Sequence, residues 1–200
     1  MLPSFITANY VARINRYNGV EDWMTHDRAT REAASPQVLG TMFSDIRAAG
    51  FRAVDLWMAH CHWQHHANSD LLEAVRELAS SHGLTLTSYA GGLRVASAQE
   101  LTQAFRFMQR LGVPYFAGGI AGIPEADTPA IVQDIFDRNG VAWAFENHPQ
   151  KSAQEILARI GHGRYRGCSV ALDTGWCGTQ GLDALNAAKA LREHLMILHL

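Results

Sequence analysis

Short apolar runs and amphipathic stretches alternate along the whole chain. Seven runs read as strands: PSFITANY (3–10), FRAVDLWM (51–58), LTLTSYA (84–90), PYFAGG (114–119), VAWAFEN (141–147), CSVALD (168–173) and HLMILHL (194–200). Helical periodicity fills the intervals at about 36–49, 69–82, 97–111, 127–139, 152–162 and 181–193. Two of these helices open on an S-x-x-E capping box, Ser97 with Glu100 and Ser152 with Glu155. Gly50, Gly83, Gly112 and Gly140 fall where helices should stop.

Six strand–helix units followed by a seventh strand predict a parallel sheet. An open doubly wound sheet and a closed (β/α)8 barrel both satisfy that order. A doubly wound nucleotide binder needs a Gly-rich turn after its first strand, and this chain has ANYVARINRYNG there. AGGIAG after the fourth strand lacks G-x-G-x-x-G spacing and reads as a loop. Strand alternation favours the barrel. Ala142, Ala144 and Glu146 share one face of the fifth strand, against Trp143, Phe145 and Asn147 on the other. Ser169, Ala171 and Asp173 repeat the small-residue face on the sixth. Small side chains suit a crowded barrel interior, and bulky ones pack beneath helices.

On the seventh strand Leu195, Ile197 and His199 share a face. Glu146, Asp173 and His199 are therefore spaced 27 and 26 residues apart, one strand–helix unit each. Three neighbouring strands would aim two carboxylates and an imidazole at one point. Converging carboxylates repel and are costly to desolvate, and a divalent cation between them resolves both difficulties. The donor set suits Mn²⁺, Co²⁺, Mg²⁺ or Zn²⁺ without choosing among them. The structural alternatives are an ion pair for Glu146, a helix N-cap for Asp173, and a packed or solvated side chain for His199.

Composition narrows the partners. With 200 residues, 48% hydrophobic and 18% charged, the chain can build one sizeable core, so a single domain over 1–200 is expected. A net charge of −2 gives no electrostatic reason for a nucleic acid or a membrane surface as partner. No apolar run approaches the roughly 18 residues of a membrane span, and the N-terminus lacks the charged start and apolar core of a signal peptide. Cys61, Cys168 and Cys177 show no CxxC spacing, so a reducing cytoplasmic setting is expected.

AFENHP, VALDTGW and LMILHL, with GFRAVDLW on the second strand, resemble the sugar phosphate isomerase/epimerase family of xylose-isomerase-like TIM barrels. The resemblance implies a small-molecule carbohydrate substrate and one divalent metal ion. It implies metal ligation by Glu146, Asp173 and His199, with a fourth ligand, a Glu, on an eighth strand. It also implies that Glu146 handles protons, and by analogy it suggests a homodimer. Other members are dehydratases, so reaction type does not follow from the fold. The chain ends at Leu200, within or just after the seventh strand. The expected fold is thus a (β/α)8 TIM barrel truncated after that strand, with the sequence continuing to a strand ending in Glu about 25–40 residues on. Many relatives have His where this chain has Trp176, which weakens the analogy with DNA-repair endonucleases of the same barrel. A non-catalytic sugar-binding barrel is the further alternative.

Several other residues are candidates for substrate contact. HCHWQHH (60–66) follows the second strand, where barrel loops line the active site; a zinc site from this stretch alone lacks ligand spacing, but His60 and His62 fit substrate binding. His148 lies one alternation step past Glu146 and is placed to orient substrate or support the ligands. Trp57 and Trp176 end strands and either stack on a sugar ring or belong to the core. Cys177 has no specific base and reads as inert packing. The polar stretch 18–35 reads as a lid over the active-site mouth, or as a surface excursion with one helical turn.

Overall fold

The computed structural model describes residues 3–17 and 22–200, apart from the side chains of residues 14 and 15. It divides into two compact units, Met1–Ala90 with Arg110–Val113, and Gly91–Gln109 with Pro114–Leu200.

The first unit contains β1 (Phe5–Ile6), α1 (Trp23–Ala33), α2 (Pro36–Ala48), β2 (Ala53–Trp57), α3 (Leu71–Ser81) and β3 (Thr85–Ala90). Its strands are parallel, with β2 between β1 and β3. β1 is much shorter than the predicted 3–10 strand, because Thr7–Asn15 turn into a 3₁₀ helix. At that point the Thr7 hydroxyl accepts the Trp57 N–H at 2.8 Å, a bond a backbone carbonyl would take in a continuing ladder. β2 is buried throughout, and its Asp55 carboxylate accepts hydroxyls from Ser4, Thr87 and Ser88.

The polar stretch 18–35 also departs from expectation. Residues 18–21 lie outside the described residues, but Trp23–Ala33 forms an eleven-residue helix rather than one turn. Asp22 caps it by accepting from the Met24 and Thr25 N–H groups. Its buried face carries His26, Asp27 and Thr30, so it has no apolar stripe for periodicity to detect.

The second unit contains β4 (Leu93–Arg94), most of α4 (Ala98–Leu111), β5 (Tyr115–Ala117), β6 (Ile120–Ala121), α5 (Thr128–Asn139), β7 (Ala142–Glu146), α6 (Ala153–Arg159), β8 (Cys168–Asp173), α7 (Thr174–Thr179), α8 (Ala184–Leu191) and β9 (Leu195–His199). β5, β7, β8 and β9 pair in that order, all parallel. Both predicted serines cap their helices, and each glutamate reaches back one residue past the N-cap. Ser97 Oγ accepts from Glu100 N and Ser152 Oγ from Glu155 N, each at 3.2 Å, while the glutamates accept from Ala96 N and Lys151 N. Trp143 and Phe145 are buried, and the Arg159 guanidinium of α6 lies over the Phe145 ring at 5.0 Å.

AGGIAG is not simply a loop: β6 within it pairs parallel to β4. The two backbones approach so closely that a Cβ on Gly118, where φ is +153°, would sit 1.6 Å from the Gly91 carbonyl oxygen. Glycine is required there by contact, not by nucleotide binding.

Candidate metal centre

Glu146, Asp173 and His199 are each the last residue of a strand. In β7 and β8, Glu146 pairs with Ala171, so Asp173 lies one alternation step beyond it on the same face. In β8 and β9, Val170 pairs with Leu195 but Ala171 pairs with Ile197. That bulge decides the site. A regular ladder from Val170 and Leu195 would set Asp173 against Leu198; the extra residue sets it against His199.

The three side chains converge. Each offers a ligand atom lying within 4.8 Å of the other two, and they are the one such group of three among the described His, Cys, Asp and Glu residues. All three are partly buried. His199 Nδ1 is 2.7 Å from Glu146 Oε1. Asp173 serves two ends: Oδ1 accepts the Trp176 N–H at 2.9 Å and caps α7, which leaves the other oxygen for an ion. The ligand and N-cap readings of Asp173 are thus compatible.

The geometry fits a small divalent cation. Two donors each about 2.1 Å from one ion lie about 3.0 Å apart at a right angle and at most about 4.2 Å apart. Sub-ångström shifts would bring the group into that range, and the Glu146–His199 contact would open slightly. The mixed oxygen and imidazole donors suit Mn²⁺, Co²⁺, Mg²⁺ or Zn²⁺.

Other predicted residues are placed as follows. His148 and Trp176 meet beside the group, their ring centroids 3.6 Å apart at 69°, and Trp176 is 37% exposed. Trp57 is buried in the first unit, against Trp23 and His60. His60 and His62 are buried there too. Burial pushes the His60 imidazole down to about 3, with Arg13 adding to the effect. Burial pushes His62 down to about 4, reinforced by Arg31, His66 and His65. Their hydrogen bonds suit the neutral form. Thr7 Oγ1 accepts from Trp57 N, leaving its proton for His60 Nδ1 at 3.0 Å. His62 Nδ1 accepts from the Gln64 and His65 N–H groups, and His66 Nδ1 from His62 N. The histidines of 60–66 thus tie down their own loop. Cys177 is fully buried; burial raises its thiol and Asp173 raises it further, which agrees with inert packing.

Asn147 is the residue that strand alternation passed over, because it lies on the face opposite Glu146. It is buried, donates to the Asp173 carbonyl and accepts from the Asp173 N–H. A buried amide next to a ligand was its only signal in the sequence.

No family model and no curated protein matches the chain. Solved structures do. The probable 3-DHS dehydratase AsbF from Bacillus anthracis matches with a TM-score of 0.64 at 13% identity, over 100% of this chain and 72% of that one. A D-allulose 3-epimerase from Methylomonas sp., in complex with D-allulose, matches with a TM-score of 0.66 at 14% identity, over 83% and 67%. A sugar phosphate isomerase/epimerase from Parabacteroides distasonis matches with a TM-score of 0.62 at 13% identity, over 82% and 69%. The chain spans about two thirds of the length of several of the structures it matches. The fold is therefore the (β/α)8 TIM-barrel type of these sugar isomerases and epimerases, represented by seven principal strands. Among the described residues no helix is long and apolar enough to cross a membrane.

Proposed function

We propose that the chain is a divalent-metal-dependent isomerase or epimerase of a sugar, sugar phosphate or related polyol. One observation carries this reading: Glu146, Asp173 and His199, from three successive strands of a sugar-epimerase fold, bring donor atoms within 4.8 Å of one another. These residues would hold the cation. A cation held there would supply Lewis acidity toward substrate oxygens, making the neighbouring C–H more acidic.

Glu146 directs Oε1 at His199 and has its second oxygen to accept the proton released at that carbon. Before the ion enters, the His199 imidazole orients that carboxylate, and Asp173 is held by its cap to α7. The partly exposed Trp176, braced by His148, offers a face to the apolar side of a sugar ring. The second acid/base that isomerisation requires would come from the eighth strand implied by the family resemblance. A homodimer is proposed by analogy, and the three free cysteines suit a reducing cytoplasm.

The test is NMR in D₂O of ketoses and aldoses incubated with the full-length protein and each of the four metals. Deuterium should enter at one carbon without loss of a hydroxyl, and Glu146→Gln should abolish it while the circular dichroism spectrum is kept. Unchanged turnover in Glu146→Gln would remove this mechanism. The dehydratase reading is kept because the AsbF structure matches over the whole chain; it would appear in the same spectra as loss of a hydroxyl from a keto-polyol.

A further inference from the structure

Asn147 is almost fully buried, 1% exposed, immediately after Glu146. Its side-chain amide uses all its hydrogen-bonding groups on neighbours of the metal centre. Oδ1 accepts the Asp173 N–H at 2.6 Å, and Nδ2 donates to the Asp173 carbonyl at 3.1 Å and to Cys177 Sγ at 3.6 Å. The orientation is unambiguous: exchanging O and N would set donor against donor at Asp173 N and acceptor against acceptor at Asp173 O. Asp173 is thereby gripped at both backbone groups, and its Oδ1 is fixed by Trp176 N. At a strand end, where ladder bonds run out, the Asn147 amide stands in for the next rung between β7 and β8.

We propose that Asn147 is a positioning residue, whose amide clamps the Asp173 backbone and so holds the Asp173 carboxylate toward Glu146 and His199. The inference rests on the metal-centre reading above. It follows from the cost of a loose ligand: donor atoms must lie within tenths of an ångström of the ion's preferred distances, and residues that orient ligands commonly change metal affinity by about 10–100-fold. A purely structural amide would affect folding alone.

The experiment is isothermal calorimetry with Co²⁺ and Zn²⁺ on the wild-type chain, Asn147→Ala, Ser169→Ala and Asp173→Ala. Ser169→Ala is the control: it deletes a buried hydrogen bond from Ser169 Oγ to the Trp143 carbonyl, in the same strand pair but away from the centre. Asn147→Ala should weaken metal binding by about 10–100-fold and alter the d–d absorption of the Co²⁺-saturated protein. Ser169→Ala should stay within about twofold of wild type. Wild-type affinity in Asn147→Ala, or equal losses in both variants, would overturn the clamp while leaving the metal centre standing. Absence of binding by the wild-type chain would overturn both. Should Asn147→Ala fail to fold, the wild-type protein still decides: the Asn147 Nδ2 protons should exchange with solvent at least tenfold more slowly on Zn²⁺ saturation, and an unchanged rate would refute the role.

Discussion

His199 Nδ1 lies 2.7 Å from Glu146 Oε1, although the two residues are 53 positions apart in the chain. Parallel pairing through β8, with its bulge against β9, creates this contact. A cation entering between the two must replace this hydrogen bond, which is shorter than the spacing of two adjacent ligands, about 3.0 Å. The His199 ring is therefore expected to report occupancy. Its ¹⁵N resonances should shift on titration with Zn²⁺, and those of His162 and His194, which lie outside the group, should not. Equal shifts at all three would indicate nonspecific binding.

The buried histidines of the first unit make stability depend on pH. His60 and His62 have folded-state values of about 3 and 4, below the ordinary 6.5. Between those limits the unfolded chain binds more protons, so stability falls as pH drops below about 6.5 and continues to fall toward the folded values. From pH 7 to pH 5 each histidine should cost about 2 kcal/mol. Urea denaturation at the two pH values should show this loss, and His60→Gln should remove about half of it. A slope unchanged in His60→Gln would contradict the neutral, buried assignment.

The β4–β6 pairing predicts opposite outcomes at adjacent glycines. Gly118→Ala would thrust a Cβ into the Gly91 carbonyl at a φ that L-residues rarely adopt, whereas a Cβ on Gly119 would meet nothing within 4 Å. Gly118→Ala should destabilise by about 3 kcal/mol or more, and Gly119→Ala by under about 1 kcal/mol. Denaturant midpoints measured side by side test the contrast.

Much of this arrangement was legible in the sequence, because alternation in AWAFE and CSVALD encodes which side chains share a face. Glu146 and Asp173 could thus be placed together without coordinates. His199 shares a face with Ile197 as alternation gives, but Leu195 pairs with Val170 on the other face, and the register of His199 opposite Asp173 depends on a bulge that no residue pattern announces. α1 was missed for a different reason: its inward face is polar, so the hydrophobic signal that finds amphipathic helices was absent. β1 was overextended because its apolar composition continues past Ile6, while the Thr7 hydroxyl diverts the ladder. Asn147 shows the limit of face counting. Its importance comes from hydrogen bonds to the next strand's backbone, which pairing brings within reach across 26 residues.

Thermal unfolding with and without divalent cation tests the metal centre most directly. At a free concentration one hundred times the dissociation constant, binding contributes about 2.7 kcal/mol, which for a chain of this size raises Tm by about 5–10 °C. The account predicts that rise for the wild-type chain with at least one of Mn²⁺, Co²⁺, Mg²⁺ and Zn²⁺, and its loss in Glu146→Gln, Asp173→Asn and His199→Gln alike. A wild-type Tm indifferent to all four ions, or a rise that survives in the three variants, would contradict it.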